Sequence, residues 1–156
     1  MQATTLMRPR LATRFGLGTR SYRSMTPLDD DELRAVAPSI FAEGKHVSRS
    51  ERYAYIPTIE VLRGLAREGF RPYAVAQGAS RIAGRAEYTK HMVRLRHARD
   101  ERRPLTGETN EIILINSHDG ASSYQMLAGM FRLLPAVHRR NYVPRRTMSS
   151  WVTSHR

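Results

Sequence analysis

The chain has 156 residues, a formal net charge of +12 and no cysteine. That length suits one domain, and 40% apolar residues are enough for a modest core. The lack of cysteine excludes a disulfide framework and thiolate metal sites, and it is compatible with the cytoplasmic location that we expect. No apolar run approaches the roughly 20 residues of a membrane helix, so we expect no membrane contact.

The positive charge is concentrated in the two ends. Residues 1–28 carry five arginines and no acid, and residues 121–156 carry six arginines and no acid. The remaining 15 basic and 14 acidic side chains lie in residues 29–120, whose net charge is therefore only +1. We expect residues 1–28 to be a flexible basic arm, with a mitochondrial transit peptide as the alternative. Residues 134–156 are expected to be a second disordered basic segment.

Two segments have helix signals. "TPLDDDELRAVAP" offers acids for the N-cap and first turn, and Pro38 ends it. "PTIEVLRGLAREGF" is the stronger helix, predicted over Pro57–Glu68, with an apolar stripe on one face and Gly69 just past its end. The Gly-Leu-Gly at Gly16 and Gly18 lacks the third glycine of a dinucleotide loop, and we expect no cofactor.

The rest of the domain reads as strands. "RPYAVAQGAS" is a candidate with a bulge at Gly78, and "TKHMVRLRHA" alternates apolar and polar residues. Ile112–His118 and Ser122–Leu133 are predicted to pair as a hairpin that turns at Asp119-Gly120. The fold class over residues 29–133 is therefore α+β, an antiparallel meander of about four strands packed on one main helix.

Histidines raise the question of a metal site or a catalytic site. His91 and His97 share a strand face, but six residues separate them by roughly 20 Å, so they cannot bind one ion and we expect no metal. His118, Asp119 and Gly120 admit three interpretations: a tight turn, a loop that contacts a ligand or nucleic acid, or a catalytic pair. Because adjacent residues of an extended chain point opposite ways, His118 and Asp119 do not easily form a base and its orienting group, and we expect no catalytic residue.

A basic strand face suggests nucleic acid as a partner. Arg94 and Arg96 share one face of their strand with Lys90, and an exposed face of this kind could follow a phosphate backbone. An ordinary solvated sheet face explains the pattern equally well. The contact residues that we predict for single-stranded DNA are Lys90, Arg94, Arg96, Arg49, Arg52 and Tyr124.

Three stretches together resemble a known family. They are "VAPSIFAEGKHVSRSERYAYIPTIEVLRGLAREGF", "TKHMVRLRHA" and "EIILINSHDGASSYQMLAGMFR". Over Leu11 to Arg132 the chain resembles domain of unknown function 932, which implies a bacterial protein carried by plasmids and prophages. The resemblance also implies a longer chain, whereas "LLPAVHRRNYVPRRTMSSWVTSHR" departs from the family pattern, so a truncated or frameshifted member is our hypothesis.

Three functions compete at this point. The first is a nucleic-acid-associated mobile-element protein that binds or anneals single-stranded DNA. The second is a non-enzymatic interaction module or decayed remnant. The third is a metal-dependent nuclease or hydrolase that uses the His118-Asp119 turn, although no spacing gathers the convergent carboxylates that Mg²⁺ needs.

Overall fold

The fold is built on a five-stranded antiparallel sheet, seen in a computed structural model that describes residues 15, 18–44, 54–80, 82, 84–100 and 108–132. The strand order is β1-β2-β3-β4-β5, so each strand pairs with its neighbour in sequence. The strands are β1 (Arg20–Arg23), β2 (Phe70–Gln77), β3 (His91–His97), β4 (Glu108–Asn116) and β5 (Gln125–Arg132). The helices are α1 (Asp30–Val36) and α2 (Thr58–Arg67), with short 3₁₀ turns at Pro38–Phe41, Ala86–Tyr88 and Ala98–Asp100.

The α+β meander predicted from the sequence is confirmed, with one additional strand. Arg20–Arg23 were expected to lie in a flexible arm, but they pair with β2 through Arg20↔Gln77 to Arg23↔Ala74. Leu28 is buried in the core. The folded part of the chain therefore begins before the predicted boundary at residue 29, while the predicted tail 134–156 lies outside the described residues.

Local signals in the sequence set the ends of both helices. Asp29 caps α1: its carboxylate accepts from the Glu32 N–H, and the Glu32 carboxylate accepts from the Asp29 N–H. Helix α2 ends at Arg67, and Gly69 follows its C-cap with a φ of 87° that favours glycine; a Cβ at Gly69 would lie 2.9 Å from His97 Nε2. Within the described ranges, neither helix has the length and apolar character to span a membrane.

The two faces of the sheet have different partners. One face, the helix face, packs on α1, α2 and the first 3₁₀ turn, and its core contains Leu33, Ile40, Leu62, Val75, Val93, Leu95 and Leu114. The opposite face, which we call the helix-free face, carries a smaller apolar cluster of Ile113 and Ile115 with Met92 and Leu127. Strand alternation separates the two sets, because successive side chains of a strand point to opposite faces.

The predicted hairpin is confirmed, but its turn is longer than predicted. Strands β4 and β5 pair from Glu108↔Arg132 to Ile115↔Gln125, so residues 117–124 connect them rather than a two-residue Asp119-Gly120 turn. Gly120 does have a positive φ, 72°. The bulge predicted at Gly78 was misplaced, because the register of β2 shifts between Pro72 and Ala74. The Asp119-Gly120 dipeptide therefore predicted where the chain reverses but not the length of the connection.

Candidate functional site

Polar side chains gather in two places, one on each face of the sheet. On the helix face a buried group, which we call the histidine cluster, consists of Ser39, Thr58, Gln77, His91, Asn116 and His118. On the helix-free face a second group, which we call the arginine face, consists of Arg23, Arg71, Arg94 and Arg96 around Glu111. Each group is assembled by strand register, so neither is visible as a motif along the sequence.

The histidine cluster is built on one row of the sheet. Gln77 of β2, His91 of β3 and Asn116 of β4 are partners in register across three strands. Ser39 from the first 3₁₀ turn and Thr58, the first residue of α2, close over this row. Each of these five side chains is at most 2% exposed, so their polar groups must find hydrogen-bond partners within the protein.

Hydrogen bonds fix the proton positions on His91. Ser39 Oγ donates to Gln77 Oε1 at 2.8 Å, so it accepts from His91 Nδ1, also at 2.8 Å. The carbonyl of Thr89 lies 3.2 Å from the same nitrogen, which also requires Nδ1 to carry the proton. His91 Nε2 is therefore the acceptor for the Thr58 hydroxyl, 2.8 Å away.

His118 is then left with one unused nitrogen. Thr58 Oγ1 gives its proton to His91, accepts from Asn116 Nδ2 at 3.0 Å, and can accept from His118 Nε2 at 3.4 Å. With its proton on Nε2, His118 has an unprotonated Nδ1 whose lone pair accepts no hydrogen bond. Among the described residues, this nitrogen is the one fully buried side-chain nitrogen or oxygen atom that has no hydrogen bond.

Burial keeps both imidazoles neutral. Desolvation, with the nearby ring of His118, lowers the pKa of His91 from 6.5 to about 3, against a smaller opposing effect of the Thr89 carbonyl. Desolvation lowers the pKa of His118 to about 4, opposed by the Ser39 backbone and the Asp119 carboxylate. The ring of Tyr55 covers His118 at a centroid distance of 5.0 Å.

Ser39 is not placed as an activated nucleophile, and Thr58, whose hydroxyl does donate to His91 Nε2, is fully buried. A serine prepared for attack donates its proton to a histidine, whereas the Ser39 hydroxyl donates to an amide oxygen. Asp119 does not orient His118 either: its carboxylate accepts from the Ala121 N–H, and the backbone N–H groups of both residues donate to the Tyr88 carbonyl. Among the described residues, no three His, Cys, Asp or Glu lie close enough to hold a metal ion.

On the arginine face, Arg94 and Arg96 are not the exposed basic residues that the sequence predicted. They do lie on the face opposite Val93 and Leu95, but each is only 6% exposed rather than solvated. Arg94 donates from Nε to Glu111 Oε2 at 2.7 Å and also from Nη2, and Arg96 donates from Nε to Glu111 Oε1 at 2.9 Å. One buried carboxylate thus holds two buried guanidinium groups, an arrangement for which the sequence offered no signal.

Two further arginines border this ion-pair network. Arg71 lies directly across from Arg96 in the β2–β3 ladder, and Arg23 and Arg94 both pair with Ala74 from its two sides. Both Arg71 and Arg23 are exposed. The register shift at Pro72–Ala74 accompanies Tyr73, whose ring lies 4.7 Å from the Arg96 guanidinium carbon.

The other predicted contact residues do not join this group. Lys90 is half-buried, with its ammonium 5.1 Å from the centre of the Phe15 ring. Tyr124 packs against the core of the helix face, and burial raises its pKa. Arg49 and Arg52 lie outside the described residues.

Comparisons with known proteins identify relatives but no activity. Residues 45–134 match the family model "Domain of unknown function (DUF932)". Two proteins of Escherichia coli K12, the UPF0380 proteins YafZ and YfjQ, are each 55% identical to the chain over 124 residues, which are 79% of this chain and 44% of theirs. The chain thus spans less than half the length of these relatives. No solved structure matches it.

Proposed function

The chain belongs to the DUF932 family, a domain of unknown function, and we propose that it binds single-stranded nucleic acid along β1 and the adjoining arginine face. One observation carries the proposal. All four residues of β1, Arg-Ser-Tyr-Arg, are exposed, at an edge of the described sheet. An edge strand with exposed cations and an aromatic ring offers both types of contact that single strands use: charge for phosphates and a π-face for bases.

The two sides of β1 offer different chemistry. Tyr22 pairs with Val75, so its ring lies on the helix-face side of the strand, and it is 44% exposed. Arg23 pairs with Ala74 and lies on the helix-free side, together with Arg71. A single strand at this edge could stack a base on Tyr22 while its backbone meets the arginines.

The proposal does not rest on Arg94, Lys90 or Tyr124. The Arg94 guanidinium is buried against Glu111 and has a structural role that explains its presence. We extend the proposal to the setting that the family resemblance implied, a bacterial plasmid or prophage protein whose partner is DNA. The bare charge of residues 1–28 also attracts phosphate, so a test must separate a shaped site from general attraction.

Tyr22 provides that separation, because its ring carries no charge. Tyr22→Ala should weaken binding of a 20-nucleotide single strand by about 1–3 kcal/mol, roughly 5- to 150-fold, and leave the salt dependence unchanged. Tyr22→Phe is the matched control and should bind like the parent, because it keeps the stacking face. Equal affinity of the parent and Tyr22→Ala would remove β1 from the interface. If the parent itself did not bind at low salt, the interaction-module hypothesis would replace this one.

A further inference from the structure

Two arginines face each other across the β2–β3 ladder. Arg71 and Arg96 are direct partners in register, and side chains of such pairs start only about 5 Å apart. Like charges in this position destabilise a sheet unless a counter-charge lies between them. An anion bound between the two side chains would compensate such a pair.

The carboxylate next to this pair in register, that of Glu111, is already occupied. Both oxygens of Glu111 accept from the Nε atoms of Arg94 and Arg96, and this glutamate is only 2% exposed. Glu111 is the partner of Arg96 on the side away from Arg71. The single negative charge of Glu111 balances one of the two buried guanidinium groups. The row of Arg71, Arg96 and Glu111 therefore keeps one uncompensated positive charge.

The Arg96 guanidinium is held with its outer edge available. Its Nε is used by Glu111, and Tyr73 lies against its plane. Its two Nη atoms donate no hydrogen bond to any residue in the described ranges. Both nitrogens reach the surface, although the side chain as a whole is only 7% exposed. A rigid guanidinium with two unbonded Nη atoms is suited to a phosphate group, which accepts two parallel N–H bonds.

We propose that Arg71 and Arg96 form a phosphate-binding site on the helix-free face, which takes a phosphodiester of the single strand. Arg96 supplies the fixed pair of donors, oriented by Glu111 and Tyr73, and exposed Arg71 supplies the mobile second cation. That the phosphate belongs to a nucleic acid rests on the proposed function, whereas the binding of a phosphate group by these two arginines does not. Arg71 can be changed without breaking the buried network, which makes it the residue to test.

The first measurement uses inorganic phosphate alone. The Nε resonances of arginine are followed by NMR as phosphate replaces chloride at constant ionic strength. Arg71 and Arg96 should show a shared, saturable shift, and exposed Arg67 of α2 should show none beyond a linear drift. A response of Arg96 no larger than that of Arg67 would overturn the site.

The second measurement uses a single-stranded oligonucleotide and varies the salt concentration. Arg71→Gln should lower the slope of log K against log salt by roughly 0.7, Arg71→Lys should restore it, and Arg67→Gln should leave it at the parental value. An unchanged slope in Arg71→Gln, with DNA still bound, overturns the site and keeps the proposed function. Saturable phosphate binding in a protein that binds no DNA keeps the site and overturns the proposed function.

Discussion

The imidazole rings of His91 and His118 lie 5.3 Å apart, centroid to centroid, and neither residue is exposed to solvent. Two histidines this close cannot both be charged without repulsion, and burial disfavours even one charge. The row of Gln77, His91 and Asn116 therefore depends on neutral imidazoles. This dependence makes the stability of the fold sensitive to mild acid.

The first prediction is a loss of stability between pH 6.5 and about pH 4. Well above pH 6.5 both histidines are neutral in the folded and unfolded chains. As the pH falls below 6.5, the unfolded chain binds protons that the folded chain excludes, until the folded pKa values near 4 and 3 are reached. Between pH 7 and pH 5 the two should together lower the free energy of unfolding by about 4 kcal/mol. Urea unfolding at the two pH values measures this loss.

His118→Phe serves as the control for that pH dependence. The phenyl ring occupies a similar volume against Tyr55 and removes one of the two titrating groups, together with the unbonded nitrogen. The loss of stability from pH 7 to pH 5 should fall to about half. If the loss were as large as in the parent, His118 would not be a source of the acid sensitivity.

The second prediction concerns the buried ion pairs. Glu111→Gln leaves Arg94 and Arg96 buried without their carboxylate, which should cost about 3–5 kcal/mol of unfolding free energy. Glu108→Gln on the same strand removes an equal charge from an exposed position and should change stability by less than about 0.5 kcal/mol. Similar urea midpoints for the two variants would show that the network is not stabilising the sheet.

Secondary structure was predictable to a large extent because its signals are local. The capping acids of α1, the stripe and terminal glycine of α2, and the alternation of β3 all lie within a few residues of the elements that they define. Strand β1 escaped prediction because four polar residues in a basic segment have no alternation to read. It is fixed instead by pairing with β2, about 50 residues away in sequence.

The site was much less predictable because register creates it. Arg94 and Arg96 occur in a pattern typical of a solvated strand, and nothing near them in sequence reveals the buried Glu111 on the next strand. For this reason Arg94→Gln and Arg96→Gln, natural tests of a basic surface, are expected to destabilise the fold instead. Along the sequence, His91 can be compared only with His97 of its own strand, which is too distant to share a site, whereas its neighbour in space, His118, follows β4. One signal of the histidine cluster was available in the sequence: His91 is a polar residue at a position of β3 that shares its face with the apolar Val93 and Leu95.

The third prediction concerns the connection between β4 and β5. Gly120 has a φ of 72°, a region in which a β-branched residue is strained, so Gly120→Val should cost about 1–2 kcal/mol. Ala121→Val, at the next exposed position, should be nearly neutral and is the matched control. Thermal unfolding compares the two, and equal melting temperatures would contradict a strained position at Gly120.

The central claim is that nucleic acid meets one defined surface, and two charge-matched triple variants test it most directly. One variant replaces Arg20, Arg23 and Arg71 by Gln, and the other replaces Arg34, Arg63 and Arg67 on the two helices, all of which are exposed. Because net charge falls equally, general attraction predicts the same effect for both. A salt titration with single-stranded DNA should show the slope of log K reduced by roughly 2 in the first variant alone, three contacts at about 0.7 each. Equal slopes in the two variants would contradict the claim.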